Sequence, residues 1–273
     1  MALHPVLEDY LARWRLTPDG TPLITHSSIL LPVRQEGMPA MLKIATEAEE
    51  RRGAESMIWW GGYGAARVLA HEGDALLMER ATGEGSLVEM ARHDRDDEAT
   101  RIICGVSSQL HTPRDCPRLS SLVPLTRWFA ELEPAAERHG GLLKVAAATA
   151  RELLSEPQDI VVLHGDIHHG NILDFGPRGW LAIDPKHLVG ECTFDFVNIL
   201  RNPDSEIALR PGRFSRQVTV VADAGGLDRA RLLKWTLAFT GLSAAWILGD
   251  GDRPDLDLAV AELALAELTR LSE

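Results

Sequence analysis

Cysteine is scarce in this chain of 273 residues: Cys104, Cys116 and Cys192 are the three, and no C-x-x-C pair is among them. An odd, widely spaced set excludes a disulfide framework and a structural zinc site, and it suits a reducing compartment. Long apolar runs are missing as well. No 18 consecutive apolar residues occur, and the opening Met-Ala-Leu-His-Pro-Val-Leu-Glu-Asp-Tyr has neither a basic n-region nor an apolar h-region. A cytoplasmic protein with no membrane partner is therefore expected. Basic residues are also in short supply, 28 Lys and Arg against 40 Asp and Glu, for a net charge of -12. That balance repels nucleic-acid phosphates and anionic lipid, so nucleic acid is excluded as a first reading, and cationic partners are favoured. The acidity is not concentrated: residues 1–80 hold 8 basic and 11 acidic side chains and the remainder 20 and 29. Most of it reads as a solvating surface. Repeats, low-complexity tracts and long linkers are absent.

The remaining composition, 45% hydrophobic and 25% charged, is that of an ordinary globular protein. At about 150 residues per domain the length allows two folding units or one domain in two lobes. Residues 1–80 mix short β-like runs with one helix. Apolar runs at 29–33 and 40–44 flank the turn-like Gln35-Glu36-Gly37-Met38-Pro39, which predicts an antiparallel pair with Lys43 near its end. An acid-rich first turn, Glu47, Glu49 and Glu50, opens a helix at 46–60 that Gly61-Gly62 stops. Strands at 65–70 and 75–79 follow, and one earlier strand near Leu23 is possible by pattern. Residues 81–273 read mainly helical, with segments at about 99–110, 124–138, 142–155, 227–248 and 256–271. The expected organisation is thus an α+β, two-lobed protein: an N-terminal nucleotide-binding lobe over 1–80 and a larger helical catalytic lobe over 81–273.

Within the helical part the texture changes at 159–163, a strand-like run that leads into His164-Gly165-Asp166-Ile167-His168-His169-Gly170-Asn171. A β-hairpin is predicted next, from 172–175 through Gly176-Pro177-Arg178-Gly179 to 180–183, ending at Asp184-Pro185. Phosphoryl transfer from a nucleotide needs a carboxylate at the acceptor hydroxyl, oxygen ligands for Mg2+ and a cation on the phosphates. Asp166 and Asn171 have the H-x-D-x-x-x-x-N spacing of a kinase catalytic loop, and the hairpin returns Asp184 toward Asn171. Lys43 is the candidate phosphate-binding lysine, with Glu50 as its ion-pair partner and Glu55 in reserve. Adjacent His168 and His169 read as packing residues, because two nitrogens do not suit Mg2+. Trp59, Trp60 and Trp180 read as core rather than as a cation cage.

Leu-His-Gly-Asp-Ile-His-His-Gly-Asn-Ile-Leu at 163–173 and Gly-Trp-Leu-Ala-Ile-Asp-Pro at 179–185 resemble the aminoglycoside phosphotransferases. With Leu188-Val-Gly-Glu, Thr193-Phe-Asp, Gly241-Leu-Ser-Ala-Ala-Trp, Thr25-His-Ser-Ser and Gly64-Ala-Ala-Arg-Val, the chain is similar to the streptomycin 6-phosphotransferase branch, which includes hydroxyurea relatives. The similarity runs from about residue 14 onward. It implies a protein-kinase-like fold and ATP- and Mg2+-dependent phosphorylation of a cationic aminoglycoside, at the 6-hydroxyl of streptomycin. It also implies roles: Asp166 as catalytic base, Asn171 and Asp184 as metal ligands, Lys43 on the phosphates, His164 bracing the loop and Asp195 supporting it. Backbone groups near Glu79 and Ala81 would meet the adenine edge. A guanidinium-bearing drug needs desolvated carboxylates, for which Glu191, Asp250 and Asp252 are the candidates.

Three features are absent from the pattern. No G-x-G-x-x-G precedes Lys43, and Ser27 and Ser28 stand where the phosphate-covering loop belongs, so ATP and GTP both stay open. Pro185 replaces the Phe-Gly of protein kinases, and no A-P-E segment is visible, which disfavours protein substrates. A monomer is expected. Kinases for other small hydroxyl compounds, choline-, hydroxyurea- or sugar-like, and a non-catalytic nucleotide- or drug-binding protein are the alternatives.

Overall fold

The computed structural model describes residues 5–272. Helix α1 (Pro5–Arg13) leads into β1 (Leu16–Pro18), β2 (Leu23–Ile24), β3 (Ser28–Gln35) and β4 (Met38–Ala45). Helix α2 (Ala48–Trp60) and the pair β5 (Val68–Glu72) and β6 (Ala75–Glu79) complete this part. The sheet is antiparallel in the order β1-β3-β4-β6-β5, with β2 also on β3. The expected strands lie within a few residues of these bounds, whereas α1 and β1 are additions.

Strand alternation decides which residues reach the cleft. Ala40, Leu42 and Ile44 of β4 and Ala75 and Leu77 of β6 bury one sheet face against Leu7 of α1. The period of two turns Lys43, Leu76 and Met78 to the other face, over which α2 lies. Glu50, Ala54 and Met57 recur at i, i+4 and i+7 and so share the helix face that meets that side. Gly61, at φ 61, caps α2 by donating its N–H to the Met57 and Ile58 carbonyls, a left-handed position that suits glycine.

The rest of the chain is mostly helical: α3 (Leu87–Arg92), α4 (Asp96–His111), β7 (Val123–Pro124), α5 (Leu125–Trp128), α6 (Leu132–His139) and α7 (Gly141–Ser155). Strand β8 (Ile160–Leu163), the hairpin β9 (Ile172–Asp174) and β10 (Trp180–Ala182), and β11 (Leu188–Glu191) follow. A 3-10 helix spans Cys192–Arg201, before α8 (Ser205–Ala208), α9 (Arg213–Gly225), α10 (Arg229–Gly249) and α11 (Asp255–Ser272). The single helix expected over 124–138 is broken into α5 and α6. Pro134 is the reason: its ring would clash with the carbonyl four residues earlier, and it is accommodated in the first turn of a restarted helix.

Helix α10 is long and apolar enough to span a membrane, with mean hydropathy 1.3, yet 72% of that window is buried inside the fold. It is the central core helix, packed through Trp235, Leu237, Phe239 and Leu242. Trp60 carries the same core toward the sheet, buried beside Met57 and donating its indole N–H to the Leu110 carbonyl at 3.2 Å.

Candidate active site

The loop between β8 and β9 is held in place by two buried side chains, Asp195 and His164. Asp195 accepts the backbone N–H of His164 at 2.9 Å and of Gly165 at 2.7 Å, and its carboxylate meets His111 Nε2 at 2.7 Å. His164 Nδ1 accepts the Asp166 N–H at 3.3 Å, so its Nε2 carries the proton and donates to the Ile183 carbonyl at 2.8 Å. Full burial keeps that imidazole below its ordinary pKa, against the pull of Asp195 and Asp166. Gly165 has φ 83, and a Cβ there would stand 2.7 Å from Leu188 Cδ1, so two constraints exclude a side chain.

Asp166 is aimed by two amides. Its Oδ1 accepts Asn198 Nδ2 at 2.6 Å and its Oδ2 accepts Asn171 Nδ2 at 3.2 Å. The side-chain amide of Asn171 also donates to the Asp166 backbone carbonyl at 2.9 Å, which leaves Oδ1 as the remaining polar atom of that side chain. The antiparallel register Trp180↔Asp174, Leu181↔Leu173 and Ala182↔Ile172 then closes the ribbon, and the Ile183 N–H donates to the Asn171 backbone carbonyl at 2.9 Å. Asp184 is the next residue, at φ 65, a conformation that costs a non-glycine residue about 1–3 kcal/mol. Its carboxylate pairs with Lys43, which also pairs with buried Glu50. Burial would raise the Asp184 pKa, but Lys43 and, more weakly, Lys186 bring it below the usual carboxylate range. Glu55 lies elsewhere, accepting the Ser121 hydroxyl at 2.6 Å.

Two cavities meet at this centre. The first, about 200 Å³, is walled by Thr25, Ser27, Ser28, Leu76 and Met78 around Lys43, Glu50 and Asp184. Thr25 and Ser28 close its loop with hydrogen bonds of 2.9 and 3.0 Å. Glu79 and Ala81 come just beyond Met78, where β6 ends. The Glu79 N–H is already donated to the Arg67 carbonyl at 2.9 Å, and its carboxylate accepts the Arg67 N–H and pairs with Arg178. The second cavity, about 690 Å³, holds Asp166 and Asn198 at its base with Lys186 and Arg201, and Trp128, Trp246, Glu131 and Asp250 around it. Trp128 and Trp246 make an edge-to-face pair with centroids 5.3 Å apart.

Of the three carboxylates expected to meet a cationic substrate, Asp250 alone lines this cavity. Glu191 is corrected to a structural role: it is 1% exposed, and its two oxygens accept Nε and Nη2 of Arg231 at 2.6 Å, the Trp235 indole N–H at 2.8 Å and the Gln158 N–H at 3.1 Å. A carboxylate so fully paired has no lone pair to offer a ligand. Asp252 stands exposed past the end of α10, outside the cavity wall. His169 is buried with both nitrogens unpartnered, and burial, helped by the nearby Arg213 charge, pushes its pKa down to about 3, so it stays neutral. His168 Nδ1 accepts the Gly170 N–H at 3.0 Å.

Asn198, Lys186, Glu131, Trp128, Trp246 and Arg201 were outside the sequence expectations. Asn198 had a readable signal: it follows Asp195 by three, and in a 3-10 helix i and i+3 eclipse, so both face the loop.

Among the described residues no three His, Cys, Asp or Glu side chains form a metal-binding group. Asn171 and Asp184 instead offer a carboxamide and a carboxylate oxygen, a hard-oxygen pair that suits Mg2+, which keeps several waters and substrate oxygens in its shell.

A small antiparallel sheet over a helical body, with an Asp–Asn loop and a returning Asp between them, defines a small-molecule kinase of protein-kinase-like fold. Solved structures agree on the fold. An amicoumacin kinase in complex with AMP-PNP and Ca2+ aligns with TM-score 0.66 at 13% identity over 97% of this chain and 92% of its own. Aminoglycoside phosphotransferase APH(3'')-Id from Streptomyces rimosus aligns with TM-score 0.61 at 17% identity, covering 89% and 99%. Residues 13–251 match the aminoglycoside/hydroxyurea antibiotic resistance kinase family, and the chain belongs to it. It is 49% identical over 263 residues to a streptomycin 3''-kinase of Klebsiella pneumoniae, covering 93% of this chain and 98% of that one. Identity to a streptomycin 6-kinase of Streptomyces griseus is 34% over 271 residues, covering 93% and 85%.

Proposed function

We propose that this enzyme transfers the γ-phosphoryl group of ATP to a hydroxyl of streptomycin. The observation that carries the reading is that Asp184 lines a lysine-bearing cavity while Asp166, bonded to Asn171, lines a larger one edged with carboxylates. Asp166, oriented by Asn198 and Asn171, accepts the proton of the substrate hydroxyl, and Lys43 holds the α- and β-phosphates. Asn171 and Asp184 hold Mg2+, which supplies neutralisation of phosphate charge when bound. The acceptor oxygen attacks phosphorus as the bond to ADP breaks, and the proton leaves with Asp166. Ser27, Ser28 and Ala81 contact the nucleotide, the last through its backbone. Asp250 and Glu131 supply the negative charge that a drug with two guanidinium groups requires.

The higher identity to the 3''-kinase supports the 3''-hydroxyl as acceptor, in place of the 6-hydroxyl suggested by the short motifs. Mass analysis of streptomycin after incubation with enzyme, ATP and Mg2+ tests the reaction, and phosphorus–proton correlation in the product identifies the hydroxyl. Transfer to choline or hydroxyurea but not to streptomycin would overturn the assignment.

A further inference from the structure

Glu50 holds two lysines. Its Oε2 pairs with Lys43 on the nucleotide side of the cleft, and its Oε1 meets Lys186 Nζ at 3.3 Å. Lys186 also lines the acceptor cavity beside Gly165 and Asp166. One buried carboxylate therefore tethers a cation on each side of the place where a phosphoryl group crosses. The backbone of Lys186 is fixed there: its N–H donates to the His164 carbonyl at 2.7 Å, and its Cβ would lie 3.0 Å from any Cβ at position 165. Left-handed Asp184 and His187, at φ 65 and 59, turn the chain on either side of it.

The crossing needs positive charge on its acceptor side. An anionic phosphoryl group must move from Lys43 toward Asp166, whose carboxylate opposes its approach. Arg201, also in the cavity wall, is engaged by Asp257 at 3.2 Å and by the Ser243 hydroxyl at 2.8 Å. The Lys186 side chain is 22% exposed and lines the cavity that holds Asp166, which puts its ammonium within reach of a group entering there.

We propose that Lys186 is a catalytic residue, reaching from Glu50 to the equatorial oxygens of the γ-phosphoryl group during transfer. It stays protonated throughout. The bond from phosphorus to ADP breaks, the bond to the acceptor oxygen forms, and the acceptor's proton goes to Asp166. This inference rests on phosphoryl transfer in this cleft, and not on which drug accepts the group.

The test compares full-length wild type with Lys186→Met, Lys186→Gln and Lys186→Arg. Transfer to streptomycin and, without drug, to water are both measured, together with the affinities for ADP and for ADP with aluminium fluoride and Mg2+, a mimic of the transferring group. Removing one transition-state donor costs about 100- to 1,000-fold, so Met and Gln should lower both transfers about 100-fold and weaken the mimic comparably. Affinity for ADP alone and KM for ATP should change less than about 3-fold, and Arg should recover about tenfold of the rate. Equal loss for ADP and its fluoride complex, or a defect confined to KM for ATP, is the pattern of a residue that merely anchors Glu50 and overturns the proposal. So does a turnover within about 3-fold of wild type in the folded Gln variant. If wild type transfers to water but not to streptomycin, the drug assignment falls, and Lys186 is judged on the water reaction.

Discussion

Replacing Asp195 by alanine should unlatch the catalytic loop, and the structure sets the size of the effect. Asp195 is 1% exposed and accepts three hydrogen-bonding groups: the N–H of His164, the N–H of Gly165 and the His111 ring. A buried polar group that loses its partner costs about 1–3 kcal/mol, so three orphaned together should cost about 3–9 kcal/mol. That is a large share of a total stability of about 5–15 kcal/mol. At about 2–4 °C per kcal/mol the calorimetric melting temperature should fall by about 10 °C or more. Turnover should drop about 100-fold even below that temperature, because Asp166 follows directly on Gly165 and misplacement by about 1 Å is costly to an oriented reaction. Asp195→Asn keeps one acceptor oxygen and should recover part of both losses. A melting temperature within about 3 °C of wild type, with turnover retained, would refute the claim that this carboxylate holds the loop.

Asp166→Asn should lower turnover at least about 100-fold while ATP affinity changes little, because the carboxamide keeps the shape but cannot take a proton. Survival of drug resistance in a sensitive host carrying this variant would point to sequestration instead of chemistry. Glu191→Ala strands buried Trp235 Nε1 and the Arg231 guanidinium, so it should cost about 3 kcal/mol of stability. Its KM for streptomycin should not move, and a selective rise there would restore Glu191 to the substrate site. His169 predicts acid sensitivity: it is neutral when folded, with pKa about 3, whereas the unfolded chain takes up a proton near 6.5. Stability from this group is complete above pH 6.5 and is lost as pH falls toward 3, by about 2 kcal/mol at pH 5. Chemical denaturation at pH 7.5 and 5 measures it, and His169→Leu should flatten the difference; identical slopes in both proteins count against it.

The kinase loop and its partners were readable because they are local. His164, Asp166 and Asn171 sit within eight residues, and a hairpin of fixed register brings Asp184 to Asn171 without any distant contact. Lys43 was readable by strand alternation, since a lysine flanked by Met41, Leu42 and Ile44 has to choose a sheet face. The choice between Glu50 and Glu55 was not, because it depends on how α2 rotates over that sheet; the apolar face of Ala54 and Met57 turns Glu50 inward and leaves Glu55 to Ser121.

The larger cavity was the least legible. Glu131 and Trp128 come from the connection that Pro134 breaks into two helices, whereas Trp246 and Asp250 come from the end of α10 and Lys186 from the strand-side loop. Nothing in their spacing joins them. Glu191 shows the converse: a carboxylate with the right chemistry for a cationic drug is consumed by Arg231 and Trp235, which lie 40 and 44 residues later. Local order along the chain determined the reaction class and the cluster of Asp166, Asn171 and Asp184, since short loops and alternating strands place side chains by covalent geometry. Which acids stay open to a substrate was decided only by packing, because a charge becomes a binding site or a buried ion pair according to what the folded chain sets against it.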